Sequence, residues 1–466
     1  MKKIFFSAIL ALVSFSVFAA EVTGTWYGVL KVQGIQLRIV FHITKDGTVY
    51  STTMDSPDQN AKGIPVTETT FEEPVLKLAV PSARIEYEGT LGNDNIITGT
   101  FKQGSISVPM NLGRNATEEP KKTVRPQDPV KPYGYQSEDV TFKNEEAGIT
   151  LAGTLTLPEK SGPFPAVVLI SGSGPQNRDC ELLGHRPFLV LADHLTKKGI
   201  AVLRFDDRGT AASGGNFATA TSQDFATDVT AAVNYLKTRK EIDKKKIGLI
   251  GHSEGGLIAP MVAAKSKDIH FIVLAAGPGL RGDKMLLLQQ QLIGKSAGAS
   301  AADLARSEAD NAKIFDMVLR STDEEKLKKD IAGYIRNSED PYKDKSADMS
   351  EEEFVSVTVN RVVNPWMLYM LRFDPASVLE KVKCPVLAIN GSNDLQVAPK
   401  ENLEAISKAL AKGGNKKVFI EELPGLNHLL QESPTGAPSE YKVIEQTMSP
   451  VALNAISNWI QEQVKK

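Results

Sequence analysis

One serine in this sequence lies in a setting that suits nucleophilic chemistry. Residues 251–255 read GHSEG and match the pattern G-x-S-x-G, with Ser253 at its centre. An apolar run, 247–250, predicts a strand before the motif, and residues 256–264 predict a helix after it. A nucleophilic serine requires such a sharp strand-to-helix turn, with glycines where Cβ atoms would collide. The alternative is a serine that only caps the helix.

A serine hydroxyl is a weak nucleophile and needs a general base. Two histidines, His270 and His428, lie downstream of Ser253. His270 directly precedes a predicted strand, which places it at the wrong end of a parallel sheet. His428 lies in the loop after the predicted strand 418–421, where the base of such a site belongs. We therefore predict His428 as the base, the alternative being a histidine of a surface loop.

The base in turn needs a carboxylate to orient it. Asp394 is the only carboxylate in the turn that follows the predicted strand 386–390. The resulting chain order is serine, acid, histidine, with each residue just beyond a strand, as this chemistry requires on a parallel sheet. An aspartate that only stabilises a polar turn is the alternative. We predict Ser253, Asp394 and His428 as one catalytic triad.

The oxyanion that forms on attack needs two backbone N–H donors. The residue after the nucleophile, Glu254, supplies the first. The loop 171–179, SGSGPQNRD, follows a predicted strand and supplies the second donor from Ser173 or Gly174. Phosphate binding by this loop is disfavoured, because it has neither G-x-x-x-x-G-K-[ST] nor G-x-G-x-x-G spacing.

The side chain of Glu254 raises a separate question. A carboxylate is favourable at the start of a helix. The same charge opposes the oxyanion of the reaction unless a cation screens it. We therefore predict a cationic partner for Glu254, with Arg208 or Arg178 as the candidates.

The whole chain has 466 residues, of which 41% are hydrophobic and 24% charged, and a net charge of −2. This length exceeds one ordinary core and predicts two or more domains. The overall charge gives no reason to expect nucleic acid or an anionic membrane as partner. The two cysteines, Cys180 and Cys384, are predicted at opposite ends of the sheet, so a disulfide between them is disfavoured. Neither a zinc site nor another cofactor is expected.

Residues 1–19 have the pattern of a secretory signal peptide, with two lysines, a short apolar run and small residues at its end. Val17 and Ala19 suit the positions before cleavage, so the mature chain is expected to begin near Ala20. A retained amino-terminal anchor is the alternative. Beyond this segment no stretch approaches the length of a membrane span. We predict an exported protein, periplasmic or secreted, whose oligomeric state the sequence leaves open.

The elements that position these residues follow from the hydrophobic pattern. Residues 21–115 alternate in short runs and predict an antiparallel β domain, a meander or barrel. Residues 116–136 are rich in proline and charge and predict a linker. From 137 to 466, apolar strands alternate with helices, which predicts a doubly wound α/β sheet. An insertion at about 281–376 predicts a helical cap, whose Trp366 and Tyr369 either line an acyl pocket or join the cap to the sheet.

Four features together resemble the α/β-hydrolase family. They are the GHSEGG turn, the SGSGPQNRD loop, the segment RFDDRG at 204–209 and the order of Asp394 and His428. Within that family the chain is most similar to exported bacterial esterase-like members related to the prolyl-oligopeptidase and serine-aminopeptidase branch. The resemblance implies an eight-stranded sheet with the site at the carboxyl ends of its strands. Ser171-Gly172 stands where many members have His-Gly, and the amino-terminal β domain is an addition.

Three functions follow from this reading. The first is an exported carboxylic-ester hydrolase that acts on a small-molecule ester through an acyl-enzyme intermediate. The second is a serine peptidase with the same triad, although no charged group that would hold a peptide terminus is identified. The third is a non-catalytic module that binds carbohydrate or the cell envelope through the β domain.

Overall fold

The fold was determined as a computed structural model. It describes residues 21–32, 35–59, 61–81, 85–103, 106–116, 125–159, 161–338, 340, 342, 345 and 349–465. The predicted signal peptide lies outside these ranges. The chain divides into two compact units, residues 1–121 and 122–466.

The first unit is an antiparallel β structure, as predicted. Alternation along its strands separates a buried face from an exposed one, and the largest buried side chains include Trp26, Phe41 and Tyr87. In the described part of this unit the strands are β1 (Gly24–Val32), β2 (Ile35–Asp46), β3 (Val49–Ser56), β4 (Ala61–Val66), β5 (Glu68–Glu72), β6 (Val75–Val80), β7 (Ile85–Leu91), β8 (Ile97–Gln103), β9 (Ile106–Pro109) and β10 (Leu112–Gly113).

These strands pair mostly with their neighbours in sequence, which makes the unit a meander. The order is β4-β3-β2-β1-β10-β8-β7-β6-β5, with β9 paired to β8. The exception is β10, which pairs with β1 on one side and β8 on the other and so joins the two halves of the unit. A two-residue hairpin turn, Gly47-Thr48, connects β2 to β3, and Gly47 takes the positive φ of +58° that the turn requires.

The second unit contains a mostly parallel sheet. Within the described residues it has eight strands in the order β11-β12-β14-β13-β15-β16-β17-β18. Strands β11 and β12 form an antiparallel hairpin, and β12 also pairs antiparallel with β14. The remaining pairings of the sheet are parallel. The strands are β11 (Gln136–Asn144), β12 (Ile149–Leu157), β13 (Phe164–Ile170), β14 (Ala201–Phe205), β15 (Ile242–His252), β16 (Ile269–Ala275), β17 (Val386–Gly391) and β18 (Val418–Leu423).

Helices cover both faces of this sheet. Those of the described residues are α1 (Pro187–Lys197), α2 (Ser222–Thr238), α3 (Glu254–Ala263), α4 (Gly282–Ser296), α5 (Ala301–Arg320), α6 (Glu324–Arg336), α7 (Glu351–Val362), α8 (Pro365–Arg372), α9 (Ala376–Leu379), α10 (Pro399–Lys412) and α11 (Pro450–Lys465). Apolar residues of α2, α3 and α10 pack on one face, and those of α1 and α11 pack on the other. The predicted α/β-hydrolase architecture is therefore confirmed.

Helices α4 to α9 lie between β16 and β17 and form the predicted helical insertion. Helices α5 to α8 share a small core of their own, which includes Ile314, Leu327, Val355 and Leu368. No helix in the described part of the chain combines the length and hydropathy that crossing a membrane requires.

Part of the segment predicted as a linker packs on the second unit. The Arg125 guanidinium donates hydrogen bonds to the carbonyl oxygens of Leu183 at 2.9 Å and Ile444 at 3.0 Å. The Gln127 side chain receives the backbone N–H groups of Thr447 and Met448 at 2.6 and 3.0 Å. These bonds hold the middle of the segment on the second unit before the chain enters β11.

Candidate active site

Ser253 occupies a strained turn between β15 and α3. Its φ is +53° and its ψ is −121°, a conformation that side chains rarely adopt and that is concentrated at functional sites. A Cβ atom on Gly251 would lie 1.9 Å from the carbonyl oxygen of Gly255, and one on Gly255 would lie 2.2 Å from that of Ile170. The two glycines of the motif are therefore required by the close approach of the backbone.

The structure brings Ser253, His428 and Asp394 into one hydrogen-bonded chain. Nε2 of His428 lies 3.0 Å from Oγ of Ser253, and Nδ1 of His428 lies 2.8 Å from Oδ2 of Asp394. The serine follows β15, the aspartate follows β17 and the histidine follows β18, so all three lie at the carboxyl ends of parallel strands. This arrangement lets the imidazole accept a proton from the serine while the carboxylate holds its other nitrogen.

Two backbone hydrogen bonds fix the orientation of the Asp394 carboxylate. Its Oδ1 accepts the backbone N–H groups of Gln396 at 2.8 Å and Val397 at 2.9 Å, which leaves Oδ2 for His428. Both Asp394 and His428 are buried. The orientation of the imidazole is therefore set by a carboxylate that cannot rotate freely.

His252 is a part of the site to which the sequence analysis assigned no role. Its Nε2 lies 2.8 Å from the backbone carbonyl oxygen of His428, so this nitrogen carries the proton and donates. Burial and the neighbouring His428 ring lower the pKa of His252 to about 4. A neutral His252 thus holds the loop that carries the candidate base. Its position directly before Ser253 was the only sequence signal.

The two predicted candidates for the second oxyanion donor differ in their placement. Gly172 and Ser173 line the cavity beside Ser253, whereas Gly174 does not. A Cβ atom on Gly172 would lie 3.1 Å from that of Ser253, so the loop passes directly beside the nucleophile. The N–H of Glu254 opens α3, where the first N–H groups have no partner within the helix. Ser173 and Glu254 are the donors that this geometry favours.

The prediction of a cationic partner for Glu254 is wrong. Its buried carboxylate accepts the Ser222 hydroxyl at 2.6 Å and the Trp366 indole N–H at 2.9 and 3.0 Å. Both donors are neutral. Burial raises the pKa of Glu254, and these hydrogen bonds oppose that rise. Neutral hydrogen-bond donors, rather than a cation, therefore stabilise the carboxylate next to Ser253.

The two arginines predicted to reach Glu254 are used elsewhere. Arg208 binds the carboxylate of Asp228 at 2.7 and 2.9 Å. Arg178 binds Asp206 at 2.8 Å. Arg372, on the helical insertion, donates to the carbonyl oxygen of Val318 at 3.1 Å. None of these arginines lines the cavity at Ser253.

Asp207 supports the loop that carries Ser173. Its carboxylate accepts the Ser171 hydroxyl at 2.5 Å and the Gln176 N–H at 2.9 Å, so it holds both ends of the loop's first turn. Burial raises the pKa of Asp207 to about 7, and the nearby carboxylates of Glu254 and Asp228 add to the rise. The segment RFDDRG therefore serves the site by positioning its backbone.

The cavity at Ser253 has a volume of about 330 Å³. Its apolar wall comes from the helical insertion, with Met285 of α4 and Trp366 and Met370 of α8. Tyr369, the other predicted substrate-binding residue, does not line this cavity. Its ring stacks on Phe373 at 5.4 Å between centroids, and it packs against the core of the sheet. Of the two predicted residues, Trp366 thus faces the cavity and Tyr369 joins the insertion to the core.

Comparison with known proteins gives three findings. The family described as "Serine aminopeptidase, S33" matches residues 186–434, a range that contains Ser253, Asp394 and His428. Esterase EstD of Thermotoga maritima is 28% identical over 338 residues, which cover 71% of this chain and 70% of that protein. The solved structure of the hypothetical protein PA2218 from Pseudomonas aeruginosa covers 75% of this chain and 98% of its own, at 18% identity and a TM-score of 0.45.

Proposed function

The chain belongs to the serine aminopeptidase family S33 of the α/β-hydrolases, and from this premise we propose that it hydrolyses carboxylic esters through an acyl-enzyme intermediate. The observation that carries the proposal is the hydrogen-bonded chain of Ser253, His428 and Asp394 at the wall of an apolar cavity. The similarity to an esterase, EstD, over 71% of the chain supports the choice of ester as substrate.

The proposed reaction begins when Oγ of Ser253 attacks the ester carbonyl and its proton passes to Nε2 of His428. Asp394 stabilises the resulting imidazolium. The negative charge moves to the former carbonyl oxygen, where the N–H groups of Ser173 and Glu254 bind it. The intermediate collapses, the C–O bond to the alcohol breaks, and the alcohol leaves with the proton from His428.

The second half of the reaction reverses these roles. A water molecule gives a proton to His428 and attacks the acyl carbon, and the same N–H groups bind the second oxyanion. Collapse returns the proton to Ser253 and releases the carboxylic acid. Each step uses a residue of this chain as the acid or base, and the proton balance closes.

The cavity supports a small substrate with an apolar acyl group. A volume of about 330 Å³ is near the lower end of the range for ligand pockets, which begins at about 300 Å³. Trp366, Met285 and Met370 provide an apolar surface for the acyl chain. Small-molecule esters with an apolar acyl group are therefore the proposed substrate class.

A serine aminopeptidase is the second candidate, because the family takes its description from that activity. Such an enzyme needs an anionic group for the amino terminus of a peptide, and Glu254 is the carboxylate that lines the cavity within the described residues. Its oxygens already accept hydrogen bonds from Ser222 and Trp366, and the residue is 2% exposed. A carboxylate so occupied favours esters over peptides.

The test compares wild type with Ser253→Ala on p-nitrophenyl acetate and butyrate, beside aminoacyl p-nitroanilides. We expect ester cleavage, little anilide cleavage, and labelling by a fluorophosphonate probe that depends on Ser253. Cleavage of anilides without esters would favour the peptidase. A wild type that is inactive on every substrate and unlabelled would favour the non-catalytic binding module.

We also propose that the protein is exported, on the basis of the lysines, apolar run and small residues in 1–19. The matching experiment expresses the full chain in a Gram-negative host, separates periplasm from cytoplasm, and measures the intact mass. We expect a periplasmic protein that lacks about the first 19 residues, the span of the signal pattern. An uncleaved chain in the membrane fraction would favour the retained anchor.

A further inference from the structure

Four neighbouring strands of the second sheet each carry a pair of lysines at or before their amino ends. Two of the pairs lie at the amino ends of β15 and β16. Lys244 and Lys245 lie near the start of β15, and Lys265 and Lys267 precede β16. Because these strands are parallel and adjacent, the two pairs lie along one edge of the sheet.

The other two pairs continue the same edge. Lys381 and Lys383 precede β17, and Lys416 and Lys417 precede β18. All eight lysines line one open cavity of about 850 Å³, which we call the lysine cleft. Ser253 and its partners follow the carboxyl ends of the strands, so the lysine cleft lies at the opposite edge of the sheet.

Among the described residues, the carboxylates near the lysine cleft pair with lysines outside it. Asp268 lines the cleft but pairs with Lys237, which does not, at 2.5 Å. Glu380, next to Lys381 in sequence, pairs with Lys412 at 2.7 Å. In the described ranges none of the eight lysines has a carboxylate partner. The lining carries a net formal charge of +7, whereas the whole chain carries −2.

The kind of side chain indicates the kind of partner. The described lining of the cleft contains lysine and no arginine. A lysine side chain is a flexible point charge and lacks the rigid guanidinium fork of arginine, so the cleft recognises a partner by its negative charge rather than by one fixed geometry. Four strands spaced by about 4.8 Å spread the lysine pairs over about 14 Å, which exceeds the size of one phosphate group. A partner with several phosphate groups on one surface therefore matches the cleft.

An exposed aromatic ring lies among these charges. Phe419 of β18 is 48% exposed at the cleft, and its ring packs against Trp459 at 6.0 Å. Lysines around an exposed aromatic ring are typical of surfaces that rest on a lipid headgroup layer. Nucleic acid is less favoured, because Phe419 is the only aromatic ring apart from His270 that the described cleft offers for base stacking.

We propose that the lysine cleft docks this protein on a lipid surface that carries anionic phosphate headgroups. Each lysine near such a surface is attracted by the negative surface potential, and the attraction weakens as salt screens it. Docking through this edge leaves the cavity at Ser253 on the other edge of the sheet. The proposal is independent of which substrate that cavity takes.

The experiment measures co-sedimentation of the full chain with vesicles of phosphatidylcholine alone or with about 30 mol% phosphatidylglycerol, a composition that gives a negative surface potential. The test variant combines Lys267→Glu with Lys416→Glu. The matched control combines Lys313→Glu with Lys329→Glu, both exposed on the helical insertion, and has the same net charge. A third variant, Lys267→Arg with Lys416→Arg, keeps the charge of the cleft.

We expect wild type, the control and the arginine variant to bind the anionic vesicles and not the neutral ones. The test variant should bind at least about tenfold more weakly, and added salt should weaken binding by all proteins. Ester hydrolysis should be equal in all four. Equal binding to neutral vesicles, or an equal loss in the control, would overturn the proposal. Binding to a DNA duplex or to free tripolyphosphate without binding to anionic vesicles would overturn the lipid assignment.

Discussion

The indole Nε1 of Trp366 donates to both carboxylate oxygens of Glu254, at 2.9 and 3.0 Å. This bond joins α8 of the helical insertion to the residue directly after Ser253. The same carboxylate receives Ser222 from the start of α2. One buried glutamate therefore ties the insertion and the sheet helices together at the nucleophile, and the position of the cavity wall depends on it.

The first prediction concerns this bond. Trp366→Phe keeps an aromatic ring but removes the N–H, so a buried carboxylate loses one of its donors. We expect kcat/KM for p-nitrophenyl butyrate to fall by about tenfold, which corresponds to the loss of one hydrogen bond to a charged group. Steady-state kinetics on acetate and butyrate esters measure the change.

Tyr369→Phe is the matched control for this prediction, because Tyr369 lies on the same helix but outside the cavity. It should leave both kcat and KM close to wild type. If Trp366→Phe and Tyr369→Phe have the same kinetics, the bond to Glu254 has no role in catalysis.

The second prediction concerns Asp394. Asp394→Asn keeps the size of the side chain, but it removes the negative charge that stabilises the imidazolium and favours the wrong tautomer of His428. We expect kcat to fall by about 10³–10⁴-fold with little change in KM. Circular dichroism should show a folded protein. A fall of less than about tenfold would assign the orientation of His428 to another group.

The positions of Ser253, Asp394 and His428 could be predicted from the sequence for a physical reason. Parallel strands are buried on both faces and read as apolar runs, so their ends can be located. Residues just beyond those ends meet at one edge of the sheet. The chain order of the three residues therefore predicts that they meet. In the structure His428 lies 2.8 Å from the Asp394 carboxylate and 3.0 Å from the Ser253 hydroxyl oxygen.

The partner of Glu254 could not be found in this way. Trp366 lies 112 residues away, on a helix whose placement depends on the packing of the whole insertion. Arg208 and Arg178 looked available in sequence, yet each has an aspartate that competes for it, Asp228 and Asp206 respectively. An arginine that satisfies a buried aspartate cannot also screen a glutamate elsewhere.

The amino-terminal unit shows a similar limit. The strands β6 and β7 of this unit alternate between buried and exposed side chains, the pattern that predicts an antiparallel β domain. The strands β4 and β5 give little such signal, because their side chains are mostly half-exposed or exposed. Pairing with neighbouring strands, rather than local sequence, gives these segments their structure.

The third prediction concerns the glycine that permits the nucleophile turn. In Gly251→Ala the new Cβ would lie 1.9 Å from the carbonyl oxygen of Gly255, so the turn must shift. We expect a loss of at least about 3 kcal/mol in the free energy of unfolding and no fluorophosphonate labelling. Gly333→Ala in α6 is the control, since its Cβ meets nothing within 4 Å. It should stabilise by about 0.5–1 kcal/mol and keep full labelling.

The fourth prediction concerns His252 and the loss of stability in acid. Its pKa in the folded protein is about 4, below the ordinary 6.5. The stability that neutral His252 contributes is present above about pH 6.5 and is lost as the pH falls toward 4, because only the unfolded chain takes up the proton. The loss amounts to about 3 kcal/mol. In urea unfolding measured from pH 4 to 8, the free energy of unfolding of wild type minus that of His252→Gln should therefore grow by about 3 kcal/mol as the pH rises from 4 to 6.5.

The fifth prediction concerns Asp207, whose contribution has the opposite sign. Its pKa is raised from the ordinary 3.8 to about 7. The folded state holds a proton that the unfolded chain releases, so this contribution is present below about pH 4 and is lost as the pH rises through 7, by about 4 kcal/mol. Asp207→Asn keeps an oxygen for Ser171 but cannot titrate. Its free energy of unfolding should therefore rise between pH 4 and 6.5, since the His252 contribution then acts without opposition. An Asp207→Asn profile identical to that of wild type would show that Asp207 is already ionised in the folded protein at pH 5.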